Sequence, residues 1–506
     1  MEYEVMKQPA HAPFLDESRI WTIIERESRP DDARIQELLD KAAEGKGLAL
    51  DESAALLAPM SEDNLQKLYQ TAFELKERVY GKRMVLFAHL YVSNLCGNKC
   101  AYCAFSCDNA DLVRKSLSEE ELAQEVRIIQ SMGHKRVMAV YGEHPSWNAQ
   151  EVADSVRSIY AVTSPPCGEI RRINVNSAPF DTEGFRLLKQ AGIGTYQCFQ
   201  ETYHRATYRQ VHLGGRKTDY DWRLYAMHRA QDAGVDDVGL GVLFGLFDHR
   251  FEVLALLEHA SALEQAYGAG PHTISFPRIE PAQNSDLSRN PPNVISDSVF
   301  KRIIAVVRLS LPYTGMIITT REKPELKREL LRLGISQLSA GSRTSPGGYA
   351  DAAANKPEAQ QFWVGEEREL SEVIRDLQKD GYLPSFCTSC YRKGRTGEHF
   401  MGLAGSAFIH TFCDPNAMTT YYEYLLDYAD EAARETGRRH TREGGEAWPD
   451  DNGGSAMRDR LPRSERGGRD LCVGRRLAAR GHNPVAAARR RRPLAVRLRA
   501  ARPLLG

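Results

Sequence analysis

The 506-residue sequence has no excess of charge of either sign: Lys+Arg and Asp+Glu number 67 each. Nothing in that balance points to a nucleic acid or an anionic membrane as partner. No uncharged apolar run approaches the roughly 20 residues needed to span a bilayer. The N-terminus, MEYEVMKQPAHAPFLDESRI, has no basic start followed by an apolar stretch. The chain is therefore expected to be cytoplasmic, with no membrane association. Lysine is absent after Lys393, whereas the final 70 residues carry 18 arginines among Gly, Pro and Ala. That tail, 437–506, shows no periodicity and is expected to be disordered. A basic nucleic-acid arm and a shifted reading frame in a GC-rich coding sequence are the alternatives to that reading.

What is present suits a folded chain with a sizeable core: 42% of residues are hydrophobic and 26% charged. The length allows about two to four domains. Ten cysteines in a chain of this size do not form a disulfide framework in a reducing compartment. Six of them fall in two spaced sets, Cys96/Cys100/Cys103 and Cys387/Cys390/Cys413, and that grouping indicates metal. Cys107, Cys167, Cys198 and Cys472 are scattered and read as idle or buried thiols.

Hydrophobic spacing organises the rest. Pro30 opens a helix with Ile35, Leu38, Leu39 and Ala42 on one face and Gly45 as its stop. Ser61 caps a second, in which Leu65, Leu68, Tyr69, Ala72, Leu75 and Val79 recur before Gly81. From Met84 the pattern changes to short apolar runs at 84–93, 136–142, 169–176, 193–200, 236–244, 272–279, 313–320 and 335–341. Helical stretches such as Ser118–Met132 and Tyr220–Ala233 separate them. Strands alternating with helices pair in parallel, and eight such units predict a (β/α)8 TIM-type barrel. A doubly wound open sheet is the alternative. The predicted organisation is an N-terminal helical extension (1–83), the barrel (84–349), a small C-terminal region with the second cysteine set (350–436, ending in a helix at Tyr421–Glu435), and the tail.

The stretch Asn94-Leu-Cys-Gly-Asn-Lys-Cys-Ala-Tyr-Cys103 sets three thiols in C-x3-C-x2-C spacing directly after the first strand. A loop this tight can wrap three corners of an iron–sulfur cubane. Three ligands leave one iron open for chemistry, whereas zinc knuckles supply four ligands in paired C-x2-C units. Barrel enzymes build their sites at the C-terminal ends of the strands. Glu143 ends strand two, Asn174-Val-Asn176 strand three, Gln200-Glu201-Thr202 strand four and Arg321 strand seven. Arg321 either clamps a carboxylate at the barrel mouth or pairs with its neighbour Glu322. His272 precedes strand six, where a satisfied structural histidine competes with a metal ligand.

The cysteine spacing, with an aromatic residue (Tyr102) just before the last cysteine, resembles the radical S-adenosylmethionine (SAM) superfamily. The resemblance implies a 4Fe–4S cluster on Cys96, Cys100 and Cys103 that chelates SAM and cleaves it to a 5′-deoxyadenosyl radical. Gly142-Glu143 looks like the superfamily's Gly-Glu element, which helps hold the SAM amino group. Tyr102, Asn176 and Glu201 are further candidates for SAM contact.

Cys387-Thr-Ser-Cys390, followed after 22 residues by Cys413, is a second trio that suits a cluster or a zinc site completed by His399 or His410. With Tyr391-Arg-Lys-Gly-Arg-Thr-Gly-Glu-His-Phe400 around it, it closely resembles the HydG family of tyrosine lyases, which mature FeFe-hydrogenase. Gln200-Glu-Thr-Tyr-His204, Gly270-Pro-His-Thr-Ile-Ser275 and Ser339-Ala-Gly-Ser-Arg343 also match. The resemblance runs from about residue 15 to 436; the Arg-rich tail departs from it. It implies that Arg321 holds the carboxylate of L-tyrosine, which is cleaved to p-cresol and dehydroglycine. An auxiliary 4Fe–4S cluster on Cys387, Cys390 and Cys413 then takes dehydroglycine to CO and cyanide. These are captured on an additional labile iron held through a free L-cysteine and His272. An electron donor and other hydrogenase maturation proteins are the implied partners. A ThiH-like 2-iminoacetate synthase lacks the second cysteine set, and a non-catalytic iron–sulfur scaffold or carrier needs no SAM pocket. Those two features separate the alternatives.

Overall fold

The computed structural model describes residues 11–165, 168–351, 359–388 and 409–443. Four helices precede the first strand: Glu17–Arg26, Asp32–Ala43, Leu50–Leu57 and Glu62–Tyr80. Spacing predicts the second and fourth, and the residues assigned to their inner faces are buried, with Tyr69 half-buried. Asp31 rather than Pro30 caps the second helix, its carboxylate accepting from Arg34 N at 2.8 Å. Ser61 caps the fourth as expected. The third helix is only eight residues long and buried on nearly all sides, so it shows no amphipathic stripe to read. The layer is tied to the barrel by Ser53 Oγ and Ser310 Oγ, 2.7 Å apart, and by Tyr80 Oη donating to Tyr313 O at 2.7 Å.

The barrel strands are β1 (Arg83–Ser93), β2 (Arg136–Tyr141), β3 (Arg172–Asn176), β4 (Thr195–Gln197), β5 (Asp237–Gly241), β6 (Thr273–Ser275), β7 (Gly315–Ile318) and β8 (Gln337–Ser339). Each is parallel to its sequence neighbour, and β8 closes on β1 through Val85↔Gln337, Leu86↔Leu338 and Phe87↔Ser339. The closed barrel is the architecture predicted from alternation, and the open sheet is excluded. Each observed strand lies within about one residue of an apolar run, usually as its inner part.

The long β1 carries an additional partner. Strand β9 (Leu383–Ser385) pairs in parallel with Arg83–Val85, whereas β2 pairs with β1 only from Ala88 onward. Residues following the barrel thus fill the β1 edge below the start of β2. Two helices, Ile409–Asp427 and Glu431–Glu443, replace the single one expected at Tyr421–Glu435. The break comes at Asp430, whose carboxylate accepts from Ala433 N at 2.7 Å and starts a new helix. The tail expected to be disordered from 437 is helical as far as Glu443, and its remainder lies outside the described residues. Among the described residues no helix is long and apolar enough to cross a membrane.

Candidate active site

The upper mouth of the barrel, at the C-terminal ends of the strands, opens into a cleft of about 1300 Å³. Cys96, Cys100, Cys103, Tyr102, Gly142, Glu143, Asn176, Glu201 and Arg321 all line it. These nine residues, expected at this end from sequence, therefore meet in one place, whereas Gln200 and Thr202 do not line the cleft. Cys107 does not: it is exposed, with its thiol 3.6 Å from Gly97 O. Asn174 also turns away, accepting from Arg172 Nε (2.8 Å) and Thr195 N (3.1 Å) inside the barrel wall.

The three thiols sit against apolar side chains, Cys96 and Cys103 beside Phe87, Tyr91 and Phe105, and Cys100 beside Val211 and Leu243. Burial pushes the Cys96 thiol up to about 11, and the other two also rise. Three soft donors on one cleft suit a cluster with one open corner, which would hold them as thiolates. The loop is braced from a second segment. Ala101 N donates to Val211 O and Leu213 N to Lys99 O, at 2.9 and 2.7 Å. Tyr102 Oη lies 2.8 Å from His212 Nε2.

Gly142 is required by geometry. A Cβ there would lie 2.2 Å from Leu95 O, so only glycine lets β2 end against the cluster loop. Glu143 is held by Arg223 Nη1 (2.8 Å) and Asn98 Nδ2 (2.9 Å). Burial alone would raise its carboxyl, but Arg223 and Lys217 hold it below the usual range. Glu201 has φ of 70°, a left-handed conformation rare for a side-chain-bearing residue and typical of strained functional positions. Its carboxylate accepts from Lys217 Nζ at 2.7 Å.

Arg321 does not pair with Glu322, which takes Arg278 instead (Nε–Oε1 3.0 Å). The Arg321 guanidinium lies 3.3 Å from the Phe362 ring centroid, with Nη1 3.4 Å from Arg278 O. Glu280 lines the same cleft, and burial pushes its carboxyl up to about 7. Sequence reasoning missed Asn98, Lys217, Arg223, Tyr91, His89, Glu280, Gln361 and Phe362. Asn98 sat inside the cysteine motif and could have been found there. Arg223 lies in a short helix with no signal beyond its charge.

The lower mouth gathers a second polar set at the starts of the strands. His272, immediately before β6, has Nδ1 3.5 Å from Asp237 Oδ1, and Asp237 Oδ2 lies 3.4 Å from Arg172 Nη2. Arg136 Nη1 lies 3.4 Å from Cys387 O. Cys413 is buried. Burial opposes the charge on Arg83, yet the neighbouring sulfurs of Cys413 and Cys387 hold its pKa above the usual value. Cys387, Cys413 and His272 thus share the end opposite the first trio, and the five residue steps of β2 separate the two ends by roughly 16 Å. Cys390 and His399 lie outside the described residues.

The sequence and fold match known proteins along most of the chain. The Radical SAM superfamily pattern matches residues 90–259, and that of the Biotin and Thiamin Synthesis associated domain matches residues 275–383. A crystal structure of HydG, a maturase of the FeFe-hydrogenase, aligns with TM-score 0.84 and 44% identity, covering 91% of this chain and 100% of that one. HydG from Carboxydothermus hydrogenoformans aligns with TM-score 0.75 and 39% identity, covering 88% and 98%. The 2-iminoacetate synthase of Escherichia coli (strain K12) is 33% identical over 347 residues, 68% of this chain and 89% of that protein. A 4Fe–4S cluster and SAM are the cofactors that the superfamily implies. With a closed barrel, a cysteine trio at its mouth and these alignments, the chain belongs to the HydG family of radical SAM enzymes.

Proposed function

We propose that the chain is a carbon–carbon lyase that cleaves L-tyrosine to p-cresol and dehydroglycine, and converts the latter to CO and cyanide for FeFe-hydrogenase maturation. Cys96, Cys100 and Cys103 would hold a 4Fe–4S cluster that, with SAM bound, supplies a 5′-deoxyadenosyl radical. Glu143, kept ionised by Arg223 and Asn98, offers an acceptor for the SAM ammonium group. Tyr102, Asn176 and Glu201 complete that wall of the cleft. Arg321 clamps the tyrosine carboxylate in a fork of parallel hydrogen bonds. The closed barrel restricts solvent to one mouth of the reacting centre.

At the lower mouth, Cys387, Cys390 and Cys413 would hold the auxiliary cluster, and His272 with a free L-cysteine would hold the additional iron. Asp237 lies against the Nδ1 side of the His272 ring and would help orient it as a metal ligand. The observation that carries the proposal is the placement of Arg321 on the same cleft as the three cysteines and Glu143. A carboxylate clamp beside a SAM site has no use in a cluster carrier.

The test is incubation of reconstituted protein with SAM, dithionite and L-tyrosine under anaerobic conditions. p-Cresol together with CO supports the proposal. p-Cresol without CO marks a 2-iminoacetate synthase, the activity named for the Escherichia coli relative. Absence of both refutes the lyase.

A further inference from the structure

The segment Gln360–Glu366 crosses the upper mouth of the barrel and is fixed to four surrounding segments. Gln361 N donates to Thr344 O (3.1 Å) and Gln361 O accepts from Ala104 N (3.3 Å). Trp363 N donates to Pro281 O (2.9 Å), and Gly365 and Glu366 N both donate to Thr320 O (2.8 and 3.0 Å). Buried Lys327 pairs with Glu366 at the far end. A strap tied at so many points holds its side chains within narrow limits.

Two of those side chains enter the cleft. Gln361 Oε1 accepts from Tyr91 Oη at 2.7 Å, which turns its amide nitrogen toward Cys103, 3.8 Å from Sγ. The next residue, Phe362, carries the Arg321 guanidinium on its ring face. One dipeptide therefore touches both a cluster cysteine and the substrate clamp.

We propose that Gln361 is a positioning residue that sets the reduction potential of the cluster on Cys96, Cys100 and Cys103, and that Phe362 makes this setting respond to occupancy of Arg321. The inference rests on the cluster assignment above. Reduction adds negative charge to the cluster and its sulfurs. An N–H donated to Cys103 Sγ stabilises that charge and raises the potential. A carboxylate arriving at Arg321 draws the guanidinium off Phe362, removing a cation–π contact from the residue adjoining Gln361.

The test is an EPR-monitored redox titration of the reconstituted full chain with SAM, with and without L-tyrosine. Gln361→Glu keeps the length and the Tyr91 contact but replaces the donor by an acceptor. Its potential is expected to fall below wild type while iron content and the auxiliary-cluster signal stay unchanged. Tyr91→Phe leaves the amide in place but unanchored, and is expected to shift the potential in the same direction by less. Phe362→Leu is expected to abolish the tyrosine-dependent shift seen in wild type. An unchanged potential in Gln361→Glu, or a tyrosine-dependent shift that survives in Phe362→Leu, overturns the proposal. Should Gln361→Glu fail to take up iron, Tyr91→Phe decides by the same criterion. Wild-type protein with no SAM-responsive cluster signal would instead defeat the cluster assignment itself.

Discussion

Glu143 and Arg223 meet at 2.8 Å, 80 residues apart in sequence, and Asn98 closes the other side of the carboxylate at 2.9 Å. The carboxylate proposed to receive SAM is thus held ionised and oriented before ligand arrives. Arg223→Met removes the charge that offsets its burial, so the Glu143 carboxyl rises and its attraction for an ammonium group weakens. SAM affinity is expected to drop by roughly tenfold or more, one charge-assisted hydrogen bond being worth about 1.5–3 kcal/mol. Titration of the cluster signal with SAM measures this, and an unchanged dissociation constant would remove Arg223 from the account.

Arg321 rests on Phe362, while its sequence neighbour Glu322 belongs to Arg278. Arg321→Gln is expected to raise KM for tyrosine by roughly 10–100-fold, the loss of about 1.5–3 kcal/mol. Uncoupled cleavage of SAM to 5′-deoxyadenosine should continue. If SAM cleavage stopped and tyrosine KM stayed level, Arg321 would belong to the SAM site instead.

Gly142→Ala forces a methyl group to 2.2 Å from Leu95 O and 2.9 Å from Leu95 C. Both are backbone atoms one residue from Cys96, so the strain falls on the cluster loop. Overpacking of this kind costs about 1–3 kcal/mol. Lower iron content per chain and a lowered melting temperature are the expected results. Normal iron loading would show that the loop has slack at this point.

Burial depresses His134 and His228, each to about 4. A depressed histidine is neutral in the fold and gains a proton more readily when unfolded. Its stabilising contribution is complete above pH 6.5 and is lost as pH falls toward 4, by up to about 1.4 kcal/mol per pH unit for each group. Urea unfolding of the metal-free chain should therefore show a falling midpoint between pH 6.5 and 4. His134→Gln, which can still donate toward Ala340 O, is expected to make that decline shallower. Identical slopes would exclude His134 as a contributor.

Cys387 stands at the end of the barrel opposite Arg321. Cys387→Ala is expected to leave p-cresol formation near wild type and suppress CO. Simultaneous loss of p-cresol in a folded variant that retains the first cluster would contradict separate roles for the two ends.

The barrel was legible because each strand is a short apolar run bounded by helical sequence, so alternation alone set the order from β1 to β8. The cysteine trio, Gly142-Glu143 and Arg321 were legible because they follow such runs, where barrel geometry gathers side chains at one rim. What serves them was not. Arg223, Lys217 and Gln361 arrive from a short helix, a single 3-10 turn and a strap after the barrel; Arg223 and Gln361 act on residues 80 or more positions away and Lys217 on Glu201, 16 positions away, and no local pattern encodes any of the three. Pairing of β9 with the lower half of β1 was equally hidden, since a three-residue strand containing Pro384 has no alternation to read. Splitting of the last helix at Asp430 could have been anticipated, because an aspartate three residues before Ala433 is a capping signal.

Two iron–sulfur centres are proposed to occupy opposite mouths of one closed barrel, only the upper one meeting SAM. EPR spectroscopy of the anaerobically reconstituted, dithionite-reduced full chain, recorded before and after SAM addition, tests this arrangement most directly. Two distinguishable 4Fe–4S signals are expected, of which one shifts with SAM and disappears in Cys100→Ala, while the other is lost in Cys387→Ala. A single paramagnetic centre, or zinc bound at the second cysteine set, would contradict it.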